Sequence, residues 1–100
     1  MQYDWDENKR EANLIKHGID FDSVCDFEWA TAFTEADERD QYGERRFVSF
    51  GYIRIRLHVL VFTYRKNSTR VISLRKANKR EMAYYEKEAR PYFPERVGRR

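Results

Sequence analysis

A chain of 100 residues with 41% hydrophobic and 16% aromatic content can bury one core, so it is read as one folded domain and not as a disordered segment. Charged residues make up 37% and the net charge is +3, and no apolar run reaches the roughly 18–20 residues of a membrane span. Cys25 is the single cysteine, which excludes an internal disulfide and a cysteine-held zinc.

The opening Met1-Gln2-Tyr3-Asp4-Trp5 has neither a basic nor a hydrophobic leader pattern, so no export is expected and the cytoplasm is the expected location. Tyr3 to Trp5 reads as a short extended entry. Asp6 is placed to cap a helix over Glu7 to His17, and Gly18 sits where a left-handed terminal residue is wanted. Asp20 offers a second cap, with Phe21, Val24 and Cys25 expected on one face of a short helix. Ala30 to Glu35 reads as a strand, and the acidic stretch Ala36 to Gly43 as a loop.

From Arg45 the pattern turns to strands: Arg45 to Tyr52, Ile55 to Tyr64 and Thr69 to Arg75, rich in β-branched and aromatic residues. Lys66-Asn67-Ser68 is short enough to make the last two an antiparallel hairpin. Asn78 with Glu81 three residues on predicts a capping box, and Met82, Tyr85 and Ala89 an apolar face for the final helix. Pro91 disfavours its continuation, leaving residues 1–90 as the domain and 91–100 as a basic tail expected to be mobile. The sum is an α+β fold: an antiparallel-rich sheet with N-terminal helices and a C-terminal helix packed on one side, its other face open.

Charge is unevenly distributed. Residues 1–41 hold twelve acids against four bases, whereas residues 42–81 hold two acids, Glu44 and Glu81, against eleven bases. A basic segment on strands suits a surface that meets phosphate or an acidic partner, or one that neutralises the acidic part of its own fold.

Particular residues carry a resemblance. Trp5-Asp6, Lys9, Asn13, Lys16-His17-Gly18 and Phe21 resemble the N-terminal signature of the BrnT toxins. Asp40, Tyr42-Gly43-Glu44, Arg46-Phe47 and the run from Arg56-Leu57-His58-Val59 to Phe62-Thr63 are similar to the same family. The most specific block is Arg70-Val71-Ile72-Ser73-Leu74-Arg75-Lys76-Ala77-Asn78, followed by Arg80-Glu81 and Tyr85. The resemblance implies a RelE-like fold, a ribonuclease that arrests translation, and a ribbon-helix-helix antitoxin of the BrnA type. That antitoxin would also carry the complex to operator DNA.

RNA is cut without a metal when its 2′-hydroxyl attacks the adjacent phosphate, which requires proton transfer at two oxygens and cations for the developing charge. Arginine suits the last task because its planar fork grips phosphate and stays charged. Arg75, Arg46 and Arg65 are the expected catalytic arginines, with Glu44 as a base or an arginine's partner. Lys76, Arg80, Arg45 and Ser73 are the expected RNA-binding set; no metal or cofactor is expected. Strict alternation assigns Ile72, Leu74 and Arg70 to one sheet face, and Val71, Ser73 and Arg75 to the other. Arg54, Arg56 and Arg70 read as solvated surface residues. His17, at a helix C-terminus, and His58, mid-strand, read as structural before catalytic. A module that only binds nucleic acid or its antitoxin is the competing reading, since an arginine-rich face serves either.

Overall fold

The computed structural model describes residues 1–39 and 43–97. Asp40 and Tyr42 of the middle motif, and the last three residues of the basic tail, lie outside the described residues. Five strands form one mixed sheet in the order β1-β5-β4-β3-β2: β1 Tyr3–Asp4, β2 Phe33–Ala36, β3 Phe47–Ile53, β4 Arg56–Arg65 and β5 Ser68–Lys76. Only β1 is parallel to its neighbour; the other pairings are antiparallel. Helix α1 spans Glu7–His17, α2 Lys79–Ala89 and α3 Pro94–Val97, and two 3₁₀ turns, Phe21–Asp26 and Trp29–Thr31, lead into β2.

Local chemistry sets these boundaries. Asp6 accepts from the Lys9 N–H at 3.2 Å, and Gly18 ends α1 at φ 73°. Asn78 and Glu81 form the expected reciprocal capping box at the start of α2. The turn after Asp20 is 3₁₀, with three residues per turn, so Phe21 and Val24 stack inward while Cys25 is carried out to solvent. This departs from the expected shared face of Phe21, Val24 and Cys25.

A second departure matters more. Val61 pairs with Ser73 but Phe62 pairs with Val71, so Ile72 is an extra residue in β5, a β-bulge. Alternation slips there by one residue. Val71 and Leu74 both enter the same core, whereas Arg70, opposite Thr63, and Arg75, opposite Val59, both fall on the reverse face. The strict alternation that separated Arg70 from Arg75 is therefore overturned.

Both faces of the sheet are covered, not one. On the first, Leu60, Phe62, Val71 and Leu74 pack against Ile19, Phe21, Val24 and Phe27. On the second, Phe50, Leu57 and Val59 pack against Tyr85 and Ala89 of α2 and Val97 of α3. Gly51 permits the packing on the first face, because a Cβ there would meet the Phe27 ring at 2.5 Å. The helix α1 lies along the free edge of β5 beyond β1. There the buried Asn13 amide donates to Leu74 O at 2.7 Å and Ile19 O at 3.0 Å, while its Oδ1 accepts from Leu74 N at 3.3 Å. One side chain thus completes the ladder of an edge strand.

The chain stays docked after Pro91 as far as Val97. Val97 is buried, and the Arg96 guanidinium lies 3.7 Å from the Tyr52 ring centre, ion-paired to Glu28 at 3.2 Å. These residues were expected to open a mobile tail; apolar Phe93 and Val97 at helical spacing give them a hydrophobic seat.

Candidate functional site

The α2 end covers only part of the second sheet face. Val48, Val61 and Ser73 are half-buried there, between two groups of charged side chains. At the α2 end, Arg75 donates two parallel hydrogen bonds to Glu81, at 2.9 and 2.8 Å. The same carboxylate accepts from the Asn78 N–H at 2.9 Å, so the ion pair and the helix cap are one network. Bonding to Arg75 holds the Glu81 carboxyl below the usual carboxylate range, and the carboxylate in turn raises the guanidinium. The hydroxyl of Tyr84, on the same helix, donates to Glu35 of β2 at 2.7 Å, which pushes its pKa up to about 12.

At the far end, Glu44 sits between Arg65 at 3.3 Å and Arg46 at 3.6 Å. Arg70 reaches Asp4 at 3.6 Å from the same face. Of the expected residues, the fold thus sets Arg75, Ser73, Arg46, Arg65 and Glu44 on one side of the sheet, with Arg70 joining them through the bulge. Arg80 is exposed in the first turn of α2. Two do not join. Arg45 lies over the Phe47 ring, 5.7 Å from its centre, on the opposite face, and the register of Lys76 with His58 puts it there too.

A cleft of about 200 Å³ runs between α1 and the β5 bulge, lined by Lys9, Ala12, Asn13, Lys16, His17, Ile72 and Ser73. Burial, Lys16 and Arg75 together lower the His17 pKa. His58 is buried, and burial lowers its pKa against the opposing effect of the hydrogen bond between its Nδ1 and Arg56 O at 2.8 Å. Of the cleft residues only Ser73 belongs to the expected RNA-binding set, although Lys9, Asn13, Lys16 and His17 recur at i, i+4, i+7 and i+8, the spacing of one helix face. Among the described residues, no cluster of three His, Cys, Asp or Glu side chains could hold a metal ion.

The family model described as "Ribonuclease toxin, BrnT, of type II toxin-antitoxin system" matches residues 5–81. The chain belongs to the BrnT toxin family. The match runs from Trp5, just after β1, to the first turn of α2, and so takes in the α1 cleft, the bulge and the arginine-bearing strands. The α+β architecture with a five-stranded mixed sheet is consistent with a RelE-like toxin. Membership of a type II system implies an RNA substrate and an antitoxin partner for this BrnT chain. No curated protein matches it. Among the described residues no helix is long and apolar enough to cross a membrane.

Proposed function

We propose that this chain is a cytoplasmic, metal-independent endoribonuclease toxin. In this reading it cleaves RNA by attack of a 2′-hydroxyl on the neighbouring phosphate and is neutralised by a BrnA-like ribbon-helix-helix antitoxin. The observation that carries the reading is the convergence of Arg46, Arg65, Arg70, Ser73 and Arg75 on one partly uncovered sheet face. Arg75 stabilises the charge developing on the phosphate, while Arg46 and Arg65, with their partner Glu44 at the far end of the face, engage phosphates further along the same strand. Ser73 and Arg80 hold the flanking backbone, while Arg45 and Lys76, on the reverse face, meet RNA only where it wraps the sheet. The antitoxin covers the basic face and contacts operator DNA on behalf of the complex.

Every one of these arginines has a carboxylate partner, which also favours a second reading, a non-catalytic module that binds its antitoxin. The barrier to exchanging carboxylate for phosphate is small. Partly exposed ion pairs contribute about 0–1 kcal/mol, and a phosphate offers the same fork-shaped acceptor. Induced expression with and without the antitoxin gene, alongside digestion of RNA by the purified protein in EDTA, separates the two. Growth arrest relieved by the antitoxin, with cleavage in EDTA, is expected. Harmless soluble expression favours the binding module, and cleavage only with added divalent metal ends the metal-free mechanism.

A further inference from the structure

We propose that the cleft between α1 and the β5 bulge is a binding groove for the RNA backbone, with Lys9, Lys16 and His17 meeting successive phosphates beside the arginine face. The inference rests on the ribonuclease reading and adds a site to it. The cleft is lined by Lys9, Lys16, His17 and Ser73, with no acidic side chain among its walls. Among the described residues neither lysine forms an ion pair.

Helix electrostatics alone does not explain the arrangement. Lys16 and His17 sit in the last turn of α1, where cations complement the dipole. Lys9 is three residues into the first turn, where a cation opposes it. The polar atoms of Asn13, at the floor, are committed to Ile19 and Leu74, so the wall offers cations and the Ser73 hydroxyl. The groove is continuous with the arginine face: Ser73 belongs to both, and Arg75 is close enough to lower the His17 pKa.

The geometry favours a chain of charges over a single one. Lys9 and Lys16 are seven residues apart, about 10 Å along the helix axis. Cations strung along a line fit consecutive phosphates of a single strand better than one carboxylate of a protein partner.

The test is binding of a short, fully 2′-O-methylated RNA, which lacks the attacking hydroxyl, followed by fluorescence anisotropy over a range of salt concentrations. Wild type is compared with the Lys9→Gln, Lys16→Gln double variant. A second variant, Ala12→Glu, adds a negative charge at an exposed wall position without removing any contact. The double variant is expected to bind about tenfold more weakly, with the slope of log affinity against log salt reduced by about 1.4, two single-strand phosphate contacts. Ala12→Glu is expected to weaken binding in the same direction. Both variants should melt like wild type. Affinity and slope equal to wild type in both variants overturn the groove and leave the ribonuclease reading standing. So does loss of antitoxin binding with RNA binding intact, because the groove then belongs to the partner. A wild-type protein that binds no RNA overturns both.

Discussion

Arg75 serves the helix cap and the candidate chemistry at once, and the two roles can be weighed. Its bond to Glu81 is between side chains 33% and 20% exposed, a setting in which an ion pair contributes about 1 kcal/mol or less. Removing one donor from a transition-state anion costs about 2–4 kcal/mol. Arg75→Ala is therefore expected to remain folded, with unfolding free energy lowered by about 1 kcal/mol or less, and to lose roughly a hundredfold in RNA cleavage. Urea melts read with single-turnover cleavage check both halves; a folded variant of full activity removes Arg75 from the site. Arg70 is no control, because the bulge puts it on the same face. Arg54, exposed in the β3–β4 turn, serves instead.

At the level of elements, a hairpin turn and a strand edge carry most of the information. Arg54 sits at φ 59°, a conformation that costs a side chain but suits glycine, in a two-residue turn between Ile53 and Arg56. Arg54→Gly is expected to stabilise the fold by up to about 1 kcal/mol, raising the melting temperature by some 4–8 °C for a domain of this size, and to leave cleavage unchanged. A lower melting temperature would show that the arginine side chain holds the turn. The edge of β5 behaves oppositely. Asn13→Ala strands the buried N–H and C=O of Leu74, at about 1–3 kcal/mol for each unsatisfied group. A loss of about 2–4 kcal/mol in urea unfolding is expected, and a loss under 0.5 kcal/mol would mean that water replaces the amide. The caps at Asp6 and Asn78, the glycine stop and the strand series were legible because each depends on a few neighbouring residues. The bulge was not, since it is a property of register between β4 and β5. Without it, Arg70 reads as a solvated residue on the face opposite Arg75, and Asn13 gives no sign of its partner sixty-one residues away.

Over the whole molecule, stability depends on pH through groups whose folded pKa is depressed. His58 is buried and its pKa lies below the ordinary 6.5, so the unfolded chain binds the proton first and stability falls as pH drops below that value. Glu81, held under its ordinary 4.5 chiefly by Arg75, contributes stability that is complete above 4.5 and lost as pH falls through the depressed value. Melting temperature is thus expected to decline in two successive windows on acidification. His58→Asn should shrink the upper one, leaving the part that His17, also lowered from 6.5, contributes, and Arg75→Ala should shrink the lower one; a wild-type profile in either variant assigns that window to other groups. The charge distribution works at the same scale. The acidic N-terminal stretch lies partly against the basic strands, as at Asp4 with Arg70, yet the arginine face and the α1 cleft remain open to a polyanion.

Attack by the 2′-hydroxyl leaves a chemical signature that no metal-activated water can produce. RNA digested by the purified toxin in EDTA should carry 2′,3′-cyclic phosphate at early times, before any of it opens to 3′-phosphate, with 5′-hydroxyl on the downstream fragment. Fragments bearing 3′-hydroxyl and 5′-phosphate would contradict the mechanism and the role given to Arg75.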